Sequence, residues 1–125
     1  MKSETLRLDN GLILDISDES RKIAEKTWVI SVVARTRIPV TPETLGDQVG
    51  TIPVEDIRAL VGDTLMFEKK MVRNFVVEND RIDVLKLMQK NFRDRIVPYL
   101  SNEKFPGKFI AKSYKEALVR RSWRK

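Results

Sequence analysis

Apolar and polar positions alternate over an unusual length between Thr27 and Val40. Trp28, Ile30, Val32, Ala34, Ile38 and Val40 share one parity, while the other begins with Val29 and Val33 and turns basic at Arg35 and Arg37. Side chains on a strand point to opposite faces with a period of two. The segment therefore predicts a central strand, buried on both faces at its start and on one at its end. Upstream, Leu6 and Leu8 alternate, Asp9-Asn10-Gly11 intervenes, and Leu12, Leu14 and Ile16 alternate again. This predicts a hairpin over Thr5–Ile16, with Asn10-Gly11 suited to a two-residue turn whose positions both favour positive φ. The charged stretch Ser17–Lys26 reads as the connection from hairpin to central strand.

Pro39 and Pro42 end the long alternation, because proline donates no ladder hydrogen bond. Residues 41–51 are polar and read as a long connecting loop, in which Thr41-Pro42-Glu43 can start one helical turn. Val54, Ile57, Leu60 and Val61 predict a short helix between Pro53 and Gly62. Thr64–Val72 predicts a strand near the sheet edge, where Leu65, Phe67 and Met71 share a parity with Lys69. Ile82, Leu85, Met88, Phe92, Ile96 and Tyr99 are spaced for one face of a long helix, which Pro98 should kink or end. A last helix is expected from about Pro106, with Ile110, Tyr114, Ala117 and Leu118 facing inward. The expected architecture is α+β in a single domain over residues 1–125. In it an antiparallel sheet of about four strands is covered by the long helix, beside a short helix and a C-terminal helix.

Composition narrows the chemistry. The chain has 125 residues, 42% hydrophobic and 34% charged, which is ordinary for a globular protein. No run approaches the roughly 18 apolar residues of a membrane span, and MKSETLRLDNG does not read as an export signal. No membrane partner is expected, and a reducing cytoplasm is the default location. Cysteine and histidine are both absent, which removes thiolate chemistry, imidazole bases and the commonest transition-metal ligand. An enzyme on this chain would have to rely on carboxylates, lysine, tyrosine or hydroxyls. No phosphate-binding loop, dinucleotide fingerprint, nucleophile elbow or metal-binding helix motif occurs, so no cofactor or metal is expected.

Charge is placed unevenly. Residues 104–125 carry eight Lys and Arg against the single acid Glu116, whereas the preceding chain is nearly neutral, giving +6 in all. Lys86, Lys90 and Arg93 fall within a narrow arc of the long helix, and Lys108, Lys112 and Lys115 repeat that spacing on the last one. Arg120 and Arg121 lie beyond them, followed by Arg124 and Lys125. Two such stripes could meet an acidic protein surface or neutralise phosphates of a nucleic acid; equally, they could be the solvated sides of amphipathic helices. Arg35 and Arg37 share a strand face and could clamp an anion, or meet acids such as Glu68 on a neighbouring strand. Asp15, Asp18 and Glu19 could attract a hard cation but match no calcium loop, and a solvated turn is the simpler reading. Leu14–Ser20 resembles the second half of the PilZ cyclic-dinucleotide motif at Asp15 and Ser17. It departs at Ser20, where that motif has glycine, and lacks the paired upstream arginines, so no site residues are carried over. The leading expectation is a small non-enzymatic binding or adaptor protein whose basic C-terminal surface meets an acidic protein partner. Nucleic-acid binding by the same surface is the alternative, and an acid–base enzyme the second alternative.

Overall fold

The long alternating segment forms β4 (Thr27–Pro39), and four further strands assemble around it. The computed structural model describes residues 3–123. β1 (Ser3–Arg7) pairs antiparallel with β2 (Ile13–Asp18), and β2 pairs with β4 in the register Leu14↔Thr36 to Asp18↔Val32. β3 (Arg21–Ala24) lies along the same edge of β4, with Arg21 opposite Val29. Glu19 N–H donates to the Ser31 carbonyl at 2.8 Å, so the ladder continues between β2 and β3 without a change of register. The predicted connection over Ser17–Lys26 is thus mostly strand. Its charged side chains do not prevent this, because ladder bonds use the backbone and β3 is exposed throughout. Beyond β3 the chain reverses at Lys26, whose φ of 61° is left-handed.

The hairpin turn also differs from its expected form. Leu8 N–H donates to the Leu12 carbonyl at 2.8 Å and Gly11 N–H to the Leu8 carbonyl at 2.9 Å, leaving Asp9-Asn10-Gly11 as a three-residue loop. Gly11 alone of the three has a positive φ, 90°, which suits a turn closed by a left-handed residue. Asn10 is free for a tertiary task, described below.

On the other edge of β4 runs β5 (Thr64–Val77), paired from Pro39↔Thr64 to Thr27↔Val77. It exceeds the expected strand by five residues because a bulge between Trp28 and Ile30 shifts the register and lets pairing resume, with Phe75 in the left-handed region at φ 58°. The sheet is therefore β1, then β2 with β3, then β4, then β5.

The even-numbered face of β4 carries the core. Ile30, Val32, Ala34 and Ile38 are fully buried beneath α3 (Arg81–Ser101), which supplies Met88, Phe92, Ile96 and Leu100. Each of these side chains except that of Ala34 contributes about 1.5–3 kcal/mol on leaving water, before entropy offsets it. The buried stripe ends on Leu100, whereas Tyr99, expected inside, is 59% exposed. Pro98 lies within α3 rather than ending it. The proline is exposed and close to the C-terminus, so it sacrifices one hydrogen bond to the Asp94 carbonyl and the helix runs only three residues further. Asn10 closes that end: its amide donates to the Leu100 carbonyl (2.6 Å), which the helix leaves unpaired, and to the Asn102 carbonyl (3.0 Å), which also accepts from Phe105 N–H.

The polar stretch after Pro39 contains α1 (Pro42–Leu45), capped reciprocally by Thr41 and Thr44, and its Leu45 is buried. Next come α2 (Val54–Val61), which buries Ile57, and α4 (Phe105–Trp123). α4 presses its first turn against α1: a Cβ at Gly107 would sit 2.4 Å from the Leu45 carbonyl oxygen. Gly107 is thus neither turn nor cap. Its missing side chain sets the approach of two helices. Among the described residues, no helix is long and apolar enough to cross a membrane.

Candidate functional site

The two faces of the sheet separate the candidate residues. Arg35 and Arg37 lie on the odd-numbered face of β4, opposite the helices. Arg35 is held there by two acids: Nε donates to Glu68 Oε2 at 2.7 Å and a terminal nitrogen to Glu19 Oε2 at 2.6 Å. Glu68 is its direct partner in the β4–β5 register, and Glu19 also accepts from the Ser17 hydroxyl at 2.9 Å. The Arg35 guanidinium, followed by the Ser17 hydroxyl, holds the Glu19 carboxyl below its ordinary range, and the two acids push Arg35 further up. Arg35 is thereby neutralised in place. Arg37 is exposed and borders an open hollow of about 670 Å³ with Ile13, Asp15, Thr44 and Met66.

On the helical side, the lysine stripe of α3 stands apart from that of α4. Arg93 reaches back to the sheet's β1 edge, where its guanidinium pairs with Glu4 at 2.7 Å. Lys90 and Lys86, one and two turns before it, are exposed. Lys108 and Lys112 instead border a cavity of about 310 Å³ with Phe67 of β5 and Tyr99 of α3, near the opposite edge of the sheet. Lys115 and Arg120 flank a shallow hollow with Val119 and the exposed Trp123, while Arg121 faces α2 beside Asp56.

What Lys108 and Lys112 meet is a second group of cations that spacing alone did not single out. Tyr99 lines both their cavity and a neighbouring one of about 260 Å³, which is bordered by Lys69, Lys70, Met71 and Arg95. The two cavities form one groove between β5 and the helices. Four cation side chains turn to it, those of Lys69, Arg95, Lys108 and Lys112, and among the described residues no carboxylate lines it, whereas Lys70 borders it from the open face of β5, where its charge acts on Glu19. Its inner wall is aromatic. Phe67 packs edge-on against Phe105 and Phe109 with ring centroids 5.6 and 5.7 Å apart, and Tyr99 packs against Phe105 at 5.2 Å.

One signal for this groove was present in the sequence. Lys69 shares its parity with Leu65, Phe67 and Met71, which marks a sheet edge, and the structure turns that side of β5 toward the helices. Arg95 and Tyr99, one turn apart on α3, face it across the groove. The arrangement can do two things chemically: attract anions with the cations that line it, and cover apolar surface with aromatic rings. Among the described residues, no cluster of three or more carboxylates is placed to hold a metal ion.

The chain matches no protein-family model, no curated protein and no solved structure. The groove's own chemistry is therefore the basis for a functional reading.

Proposed function

We propose that the protein is a non-enzymatic binding protein whose groove between β5, α3 and α4 receives an acidic segment of a partner protein. The observation that carries this reading is the lining: Lys69, Arg95, Lys108 and Lys112 around Tyr99, without a carboxylate among the described residues that line it. Arg35, Arg93 and Lys22, by contrast, are each paired with an acid, Glu19, Glu4 and Glu78 respectively. The basic C-terminal segment contributes Lys108 and Lys112 to this site rather than acting as a uniform surface.

An acidic protein segment suits the aromatic wall better than a nucleic-acid strand does. Base stacking needs open ring faces, yet Phe67, Phe105 and Phe109 are turned against one another and only Tyr99 is largely exposed.

Fluorescence anisotropy of a labelled Glu-rich peptide and of a single-stranded oligonucleotide, each across a salt series, tests the proposal. Lys108→Glu with Lys112→Glu is expected to weaken peptide binding about tenfold or more, equivalent to ~1.4 kcal/mol. Lys86→Glu with Lys90→Glu, on the other stripe, is expected to change it little. Equal losses from both pairs would reduce the groove to a general net-charge effect. An oligonucleotide that binds more tightly than the peptide, with affinity falling steeply as salt rises, would replace this reading with nucleic-acid binding.

A further inference from the structure

The groove is bounded by a strand whose outer edge has no partner among the described residues. In an antiparallel ladder the hydrogen bonds run between directly opposed residues at every second position, so alternate residues of a flanking strand turn their backbone groups inward and outward. Val40 N–H donates to the Asp63 carbonyl at 2.8 Å, one step beyond the Pro39↔Thr64 pair of the β4–β5 register. This places the odd-numbered residues of β5, up to Arg73, in bonded pairs with β4. The bond from Glu19 to Ser31 agrees, since it leaves the even-numbered residues of β4 to bond toward β5. Consequently Met66, Glu68, Lys70 and Val72 point their N–H and C=O groups away from the sheet, along an edge about 20 Å long. Among the described residues no strand pairs with that edge.

Resting on the function proposed above, we infer that the acidic segment binds as an added antiparallel strand on the outer edge of β5 over Met66–Val72. Main-chain hydrogen bonds then supply the attachment and alternate side chains the selectivity, as in strand addition generally. Two-sidedness follows from the pleat. On the helix side the guest's side chains meet Lys69, Arg95 and Tyr99 and approach Lys108 and Lys112. On the open side they lie beside Met66 and Val72, which are each 46% exposed. Glu68, the one acid along this edge, is already committed to Arg35. The matching sequence therefore alternates acidic and aliphatic residues. A second copy of the chain fits the edge poorly, because joining two β5 strands would bring the Lys69-Lys70 pairs of both copies together.

The pleat also makes the inference testable by phase. In an antiparallel guest, residues bonded to Met66, Glu68, Lys70 and Val72 share the open face with them, so the aliphatic residues point their N–H groups at β5. The probe is a labelled, end-blocked peptide in which three Glu-Val repeats lie between serines. N-methylation of its valines should weaken binding to the native protein about a hundredfold by removing three backbone donors, whereas N-methylation of its glutamates should leave affinity within about threefold. Amide exchange at Met66, Glu68, Lys70 and Val72 should slow when the unmodified peptide binds. Equal affinities for the two methylated peptides, or binding with unchanged exchange at those amides, would overturn strand addition while leaving an acidic ligand in the groove. Absence of binding by any acidic peptide at low salt would overturn both. A concentration-dependent dimer with these amides already protected would give the edge to a second copy and overturn the inference.

Discussion

The two faces of β4 are buried by different means. On the even face, Ile30, Val32, Ala34 and Ile38 lose their water to α3, an apolar layer contributed by a distant part of the chain. On the odd face, Val33 is just as completely buried although it lies outside the apolar cluster that the helices cover. It lies between Ser17 of β2 and Lys70 of β5 in the register, next to the network in which Arg35 joins Glu19 and Glu68. Long polar side chains can cover apolar surface with their stems while keeping their charges near water. Equal exposure values thus describe unequal environments: one face is dry, whereas the other can hydrate by rearranging side chains.

That contrast predicts the largest effect. Val32→Asp places a carboxylate without a partner in the dry face, at a cost of about 3–5 kcal/mol, and the domain should unfold by circular dichroism. Val33→Asp should cost about 1–2 kcal/mol, because water and Lys70 can reach it. Equal losses would show the open face to be as dry as the other, and near-normal melting of Val32→Asp would remove β4 from the centre of the fold.

The helical layer has its own tight point. Gly107→Ala puts a methyl into the Leu45 carbonyl, and helix separation should lower stability by about 1–3 kcal/mol in a denaturant titration. Insensitivity would mean that α4 docks through Phe105 and Ile110 alone. Next in size is Asn10→Ala, which uncaps α3 from the hairpin side and should cost about 1–2 kcal/mol, with faster amide exchange confined at first to the last turn of α3.

The open-face network should give the smallest effect. Because Glu19 has a lowered carboxyl pKa in the folded protein, the unfolded chain binds more protons below its ordinary value of 4.5. The stabilisation is therefore complete above that pH and lost as pH falls through the folded-state value. Solvent screening limits it to less than about 1 kcal/mol, since the Arg35 side chain remains 35% exposed. Subtracting the acid limb of an Arg35→Met stability profile from that of the native protein isolates this contribution. A difference that grows toward lower pH would contradict the sign.

Much of the fold was legible because side-chain direction repeats locally. Period two marked β4 and its two faces, and spacings of three and four marked α3 from Leu85 to Ile96, whereas Ile82, expected on the same face, is 44% exposed. Where the pattern allowed two continuations, the prediction chose Tyr99 and the fold buried Leu100, since both lie within one step of the stripe. The ladder of β3 escaped notice because it depends on backbone bonds that charged side chains neither create nor forbid. Gly107 escaped for a similar reason: nothing near it in sequence indicates that Leu45 will press against it.

The candidate site was less legible. The lysine spacings on α3 and α4 are alike, yet Arg93 is carried to Glu4 at the β1 edge, whereas Lys108 and Lys112 come to Tyr99 beside β5. By itself the sequence determined the faces of the strands, the stripes of the helices and the cation that shares the apolar parity of β5, all consequences of local backbone geometry. Only the tertiary structure decided that Lys69, Arg95 and Lys108, scattered along the chain, would border one groove with no carboxylate among the described residues that line it. That outcome rests on how α3 and α4 pack over the sheet, and packing is settled by the whole core at once rather than by any one periodic segment.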